Sequence, residues 1–97
     1  MPNFEDGTVT GIVHGQLTAN DVDQTLLVAN GDRDWLIFQN LGPSTAYFTF
    51  GTAATTALGF QIIAGGVYET DSKAITAGVH IITAAAGSAD IRFASGD

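Results

Sequence analysis

The sequence predicts an all-β fold: a single small antiparallel β-sandwich, jelly-roll or immunoglobulin-like, with an extended N-terminal arm. Three observations carry that expectation. Short runs rich in Val, Ile, Thr, Phe and Tyr recur at roughly 8–12-residue spacing between turns rich in Gly, Asn and Asp. No stretch repeats its apolar residues with the period of an amphipathic helix. The chain has 97 residues, enough for one domain that buries roughly 60–65% of its unfolded surface.

Residues 1–17 are expected to supply the N-terminal arm and first strand, and residues 18–97 the sandwich domain. Met1–Gly7 reads as a flexible or partner-bound arm. Thr8–Thr18 is β-branched, with Gly11 and Gly15 marking a bend or bulge. Ala19–Asp23 is a turn, and Gln24–Ala29 a short strand. Asn30-Gly31 offers a positive-φ hairpin turn into the next run. Trp35–Asn40 and Thr45–Phe50 then flank the turn formers Leu41-Gly42-Pro43-Ser44, which predicts a hairpin. Of the six Phe, two Tyr and one Trp, most sit in or beside this segment: Trp35, Phe38, Tyr47, Phe48, Phe50 and Phe60. Both alternating faces of Trp35–Phe38 are apolar, so that strand requires cover on both sides.

Thr52–Gly59 is small and uncharged, and its Thr and Gly favour a loop over a helical turn. Phe60–Ile63 is a brief apolar strand stopped by Ala64-Gly65-Gly66, and Val67–Thr70 is another. Asp71-Ser72-Lys73 is a polar turn. Ala74–Ala77 and Val79–Ala84 read as strands joined around Gly78. Ala85–Ser88 leads tightly into Ala89–Ala94, where Ile91 and Phe93 alternate with Asp90 and Arg92, so one face is wet.

Charge excludes several classes of function. The net charge is −7, and the cations are only Arg33, Lys73 and Arg92. Three cations cannot neutralise a run of phosphates or an anionic membrane, so neither nucleic acid nor membrane is an expected partner. With no cysteine there are no disulfides and no thiolate chemistry. The acidic start Met1–Asp6 lacks the basic region of a signal peptide, and no apolar run reaches membrane length, so the chain is expected to avoid Sec export. Charged residues make up 13% of the sequence, about half the usual share, which suits a surface buried against partners.

Catalytic chemistry finds little footing. His14 and His80 sit in strand-like runs, and ordinary polar strand residues explain both better than a metal pair. Asp21/Asp23 and Asp32/Asp34 have the i, i+2 spacing of calcium loops, but they lack the remaining ligands and the bidentate Glu of an EF-hand. Ser44, Ser72, Ser88 and Ser95 fall in turns or near the end of the chain, and none stands in a Gly-x-Ser-x-Gly elbow. A sandwich this small leaves little room for a glycosidase cleft around two carboxylates. The expectation is a non-enzyme without a cofactor. The doubly apolar strand, the low charge and the outer-face aromatics Tyr47 and Tyr68 instead point to a homo-oligomer or an assembly subunit.

The runs Trp35-Leu-Ile-Phe-Gln39-Asn40-Leu-Gly42, Ala46-Tyr-Phe-Thr-Phe-Gly51 and Gly59-Phe-Gln-Ile-Ile-Ala-Gly65-Gly66-Val-Tyr-Glu69 resemble small β-sandwich structural proteins of tailed-phage virions. The likeness spans about residues 33–94 and is a pattern of turns and strands. It implies a capsid decoration (cement) protein, often trimeric, assembled in the host cytoplasm onto the outer surface of the head. Its partner would be the major capsid protein, and its role stabilisation of the head by bridging capsomers. Family members also serve as tail, neck and fibre components. In this reading Met1–Leu17 adds a strand to a neighbour's sheet edge, which makes Phe4, Val9, Ile12, Val13 and Leu17 contact candidates. Trp35, Tyr47 and Tyr68 complete the set. The rival is a carbohydrate- or receptor-binding module of a fibre that stacks sugars on Tyr47, Tyr68 or Trp35. A small calcium-dependent adhesin-like domain is a third reading.

Overall fold

The computed structural model describes residues 12–70 and 76–96, which form eight strands and no helix. Side-chain alternation decides which way each strand faces. In β3 (Trp35–Pro43), Leu36, Phe38 and Asn40 are buried, while Trp35, Ile37 and Gln39 are half-buried on the opposite face. One antiparallel sheet runs in the order β1 (Val13–Ala19), β8 (Ala89–Gly96), β3 and β6 (Val67–Thr70). A second runs β2 (Gln24–Leu27), β7 (Val79–Thr83), β4 (Ala46–Phe50) and β5 (Phe60–Ile62). Every ladder is antiparallel.

The pairing has a simple rule. First strand pairs with last, second with seventh, third with sixth and fourth with fifth. The chain is thus one long antiparallel ribbon, closed on itself by β3 against β8 and β4 against β7. The two sheets pack face to face around Leu36, Phe38 and Ile91 from the first and Phe48, Val79 and Ile81 from the second, all at most 3% exposed. Each such side chain contributes roughly 1.5–3 kcal/mol by leaving water. Apart from Ala74–Ala77, the strands expected from the sequence lie close to observed ones, and the last strand is wet on one face as its alternation implies: Ile91 is buried and Arg92 exposed.

The connections differ from expectation. Trp35–Asn40 and Thr45–Phe50 do not form a hairpin, because β3 and β4 belong to different sheets. Both hydrogen-bonding edges of β3 are taken, by β8 and β6, which leaves none for β4. Asn40 makes the corner between sheets. Its buried side-chain amide donates to Ser44 O and Ile62 O, both at 2.8 Å, and its Oδ1 accepts from Gly42 N–H at 2.7 Å. Its backbone N–H donates to Gly66 O and its C=O accepts from Gly65 N–H. The intervening Gly42–Pro43 peptide is cis, with Gly42 at φ 91°.

Asn30-Gly31 is likewise a crossing between sheets and not a hairpin, and neither residue has positive φ. The Asn30 carboxamide accepts from Asp32 N–H at 2.9 Å, and its backbone C=O accepts from Arg33 N–H at 3.1 Å, which closes the turn. Arg33 then turns inward at 3% exposure and donates to Val28 O and Ala77 O, clamping two connecting loops. Burial lowers its pKa from the usual arginine value.

Thr76–Gly78 is not strand, and the rest of the run expected at Ala74–Ala77 lies outside the described residues. Within the expected arm and first strand of residues 1–17, Val13–Leu17 belongs to β1, in register with Ser95–Ile91 of β8, and the strand runs on to Ala19; residues 1–11 lie outside the described residues.

Asn40→Ala removes the donors to Ser44 O and Ile62 O and the acceptor of Gly42 N–H at the corner. The expected loss is roughly 3–5 kcal/mol in urea unfolding, a large share of a small domain's stability. Ala86 tests the opposite direction. It adopts φ 61° in the turn closed by Gly87 N–H to Ala84 O, so Ala86→Gly should gain about 0.5–1 kcal/mol in the same assay.

Candidate partner interface

The sandwich is open along one side. β5 and β6 end their respective sheets there, and between them lies a cleft of about 380 Å³ lined by Phe48, Phe50, Phe60, Gln61 and Tyr68. Register explains the aromatic lining. Phe60 stands opposite Phe48 in the β4–β5 ladder, and Tyr68 stands opposite Phe38 in the β3–β6 ladder, so all four rings are on inner faces. Phe38 meets Phe48 edge to face at 4.9 Å, and Tyr68 lies 5.0 Å from Phe48 and 5.2 Å from Phe38.

Phe60 is the exception to inward burial. It shares its face with buried Ile62 and lies 5.9 Å from Phe48, yet it is 66% exposed. β5 is only three residues long and nothing on β6 reaches across to cover the ring. Leu58, Ile63 and Val67 are exposed as well, Val67 on the outward face of β6. No charged residue occurs between Asp34 and Glu69, so the cleft lining comes from an uncharged stretch of chain. An exposed ring at an apolar cleft suits an interaction surface.

The outer face of the first sheet is a second, flatter apolar region. Ile37, Gln39, His14, Arg92 and Ala94 help to line a depression of about 200 Å³. Trp35 opposes Gly96 across the β3–β8 ladder, and its indole lies directly over that glycine: a Cβ there would fall 2.6 Å from Nε1. Farther along β8, Asp90 accepts from Arg92 at 3.0 and 2.9 Å and from Gln16 at 3.0 Å. The Arg92 bonds, then that of Gln16, hold the Asp90 carboxyl below the usual aspartate range. Any stabilisation from this cluster is present at neutral pH and disappears as the pH falls through that lowered value. At the surface it is small.

The contact residues expected from sequence are scattered. Phe4 and Val9 lie outside the described residues. Ile12 and Val13 are exposed at the start of β1, whereas Leu17 packs against the core. Tyr47 is half-buried on the outer face of the second sheet, between Ile82 and Gln61 in register. Tyr68 is not an outer-face residue: Val67 and Glu69 face outward in β6, and Tyr68 packs inward against Phe38. The four alternating residues Val-Tyr-Glu-Thr do not themselves declare which pair faces in. Sequence reasoning passed over Phe60, Leu58, Ile63 and Val67. The uncharged span that contains them was the available signal.

The acidic loops are occupied by turn chemistry. Asn20 accepts from Val22 N–H, and one Asp23 oxygen accepts from Ala54 N–H at 2.8 Å while the other meets His80 Nδ1 at 3.2 Å. Asp23 thereby fastens the β4–β5 loop to the second sheet. Among the described residues no three His, Asp or Glu side chains gather at one point. Comparison of the chain with protein-family models, curated proteins and solved structures finds no match.

Trp35 is the only tryptophan and reports on its own face. Gly96→Ala should lift the indole from β8, shift its fluorescence to the red and cost about 1–3 kcal/mol of stability. An unchanged emission spectrum would contradict the stacked placement.

Proposed function

We propose that this chain is a non-enzymatic structural subunit of a tailed-phage virion, a capsid decoration protein that stabilises the head by bridging capsomers. The observation that carries the proposal is the uncharged aromatic cleft open between β5 and β6, with Phe60 exposed at its wall. An inner-face phenylalanine left in water suits a domain that finishes its core against another protein. The strand orders β1-β8-β3-β6 and β2-β7-β4-β5 support reading the sandwich as a jelly roll, an architecture used by viral capsid and lectin domains. The resemblance to virion proteins over residues 33–94 points the same way, and the net charge of −7 suits a position away from packaged nucleic acid.

The sugar-binding alternative draws less support. Tyr68 faces inward, Trp35 lies flat on Gly96, and the side chains lining the cleft include one polar residue, Gln61. A sugar site usually pairs an exposed ring with several convergent polar groups.

Antibody against the chain is expected to label the outside of purified virions, and the protein to sediment with them in stoichiometric amount. Protein found only in the soluble fraction would overturn the proposal. The contribution of the arm is tested by deleting residues 1–11, since deletion through residue 17 would also remove the β1 ladder. The shortened chain should fold and bind shells poorly; full occupancy would assign shell binding to the sandwich alone.

A further inference from the structure

We propose that Asn30 is a site of spontaneous deamidation in the folded chain, attacked by the main-chain nitrogen of Gly31. The modification goes beyond the assembly reading and stands independently of it. The chemistry requires an unshielded nitrogen, a polarised carboxamide and water. Gly31 supplies the nitrogen. It has no Cβ, no atom lies within 4 Å of where one would stand, and among the described residues no acceptor takes its N–H. The turn supplies the polarisation. Asp32 N–H donates to Asn30 Oδ1 at 2.9 Å, the oxygen on which negative charge develops as Cγ is attacked. Water has access, because residues 28–32 are all exposed.

The Gly31 nitrogen gives up its proton and bonds to Asn30 Cγ, closing a succinimide. The Cγ–Nδ2 bond breaks, and Nδ2 leaves as ammonia with that proton. Among the described residues Nδ2 has no partner to hold it. Water then opens the ring at either carbonyl. Opening at Cγ gives an aspartyl residue, and opening at the main-chain carbonyl gives an isoaspartyl residue that carries the chain through Cβ and Cγ. Either product adds one negative charge to the net −7. The aspartyl form keeps an acceptor for Asp32 N–H. The isoaspartyl form lengthens the crossing ahead of Arg33, whose N–H meets the Asn30 carbonyl at 3.1 Å and whose side chain ties Val28 O to Ala77 O.

Two other asparagines serve as internal controls. Asn20 accepts from Val22 N–H at 3.0 Å in the same kind of turn, but the nitrogen that would attack it belongs to Asp21, whose side chain crowds it. Asn40 is buried, and its carboxamide is held by Ser44, Ile62 and Gly42.

Incubation of the whole chain in mildly alkaline buffer, folded and in urea, tests the proposal. Peptide mass spectrometry with fragmentation that separates aspartyl from isoaspartyl residues is the readout. In the folded chain both products should accumulate at position 30, faster at higher pH. They should lead those at Asn20 by roughly tenfold or more, a barrier difference of about 1.4 kcal/mol. Gly31→Ala should slow conversion by a similar factor, and with open space for the methyl and no positive φ at that position it should fold. No product at position 30 of the folded chain overturns the proposal, and the urea sample then tells whether fold or sequence prevents it. Aspartyl product without isoaspartyl also overturns it, as does conversion of Asn20 as fast as that of Asn30. Unslowed conversion in a folded Gly31→Ala does the same, and the Asn20 comparison decides if that variant fails to fold.

Discussion

Asn40 joins what would otherwise be two loosely related sheets. A strand that leaves one sheet and enters the other exposes polar backbone at the crossing, and those groups must be paired because the corner is buried. Here one carboxamide binds Ser44 O ahead of β4, Ile62 O at the end of β5 and Gly42 N–H in the corner itself. The same residue's backbone reaches Gly65 and Gly66 ahead of β6. Four consecutive elements are therefore positioned by a single side chain and its peptide. The cleft depends on that arrangement, since Phe48, Phe60 and Tyr68 come from β4, β5 and β6.

The core adds cohesion in proportion to buried area, and its alternating pattern fixes the register within each ladder. Directional bonds fix the corners between sheets. Arg33 performs the complementary task at another junction by binding Val28 O and Ala77 O, and thus converts one of three cations into an internal tie. The surface is left still more acidic than the composition suggests.

Strand positions were legible because alternation and turn residues are local signals. Trp35–Asn40, Val67–Thr70 and Ala89–Ala94 could be read from a few neighbouring residues each. Strand partners were not legible. Leu41-Gly42-Pro43-Ser44 has the composition of a hairpin turn, and only knowledge that β8 and β6 flank β3 shows why no hairpin can form. Asn30-Gly31 misleads in the same way, because an Asn side chain can close a turn without left-handed backbone. The site was half legible. The aromatic cluster around Phe48 is obvious in the sequence, but the exposure of Phe60 depends on where β5 ends and β6 begins. A four-residue strand such as Val67–Thr70 also leaves the direction of Tyr68 open until its partner is known.

The first-with-last pairing has a consequence for how the molecule is made. Val13 lies in register with Ser95, so the β1–β8 ladder requires both ends of the domain to have left the ribosome. Among the described residues β4 and β5 are the only consecutive strands that pair directly, which makes them the natural place for structure to begin. Loop-closure entropy favours closure outward along the ribbon, with the largest loop closed last. On that order Phe48, Phe50 and Phe60 would be carried on a small hairpin before the sheet that covers Phe48 is in place. The nascent chain consequently shows its stickiest surface longest, and crowding of unfinished copies during synthesis is the hazard this topology carries.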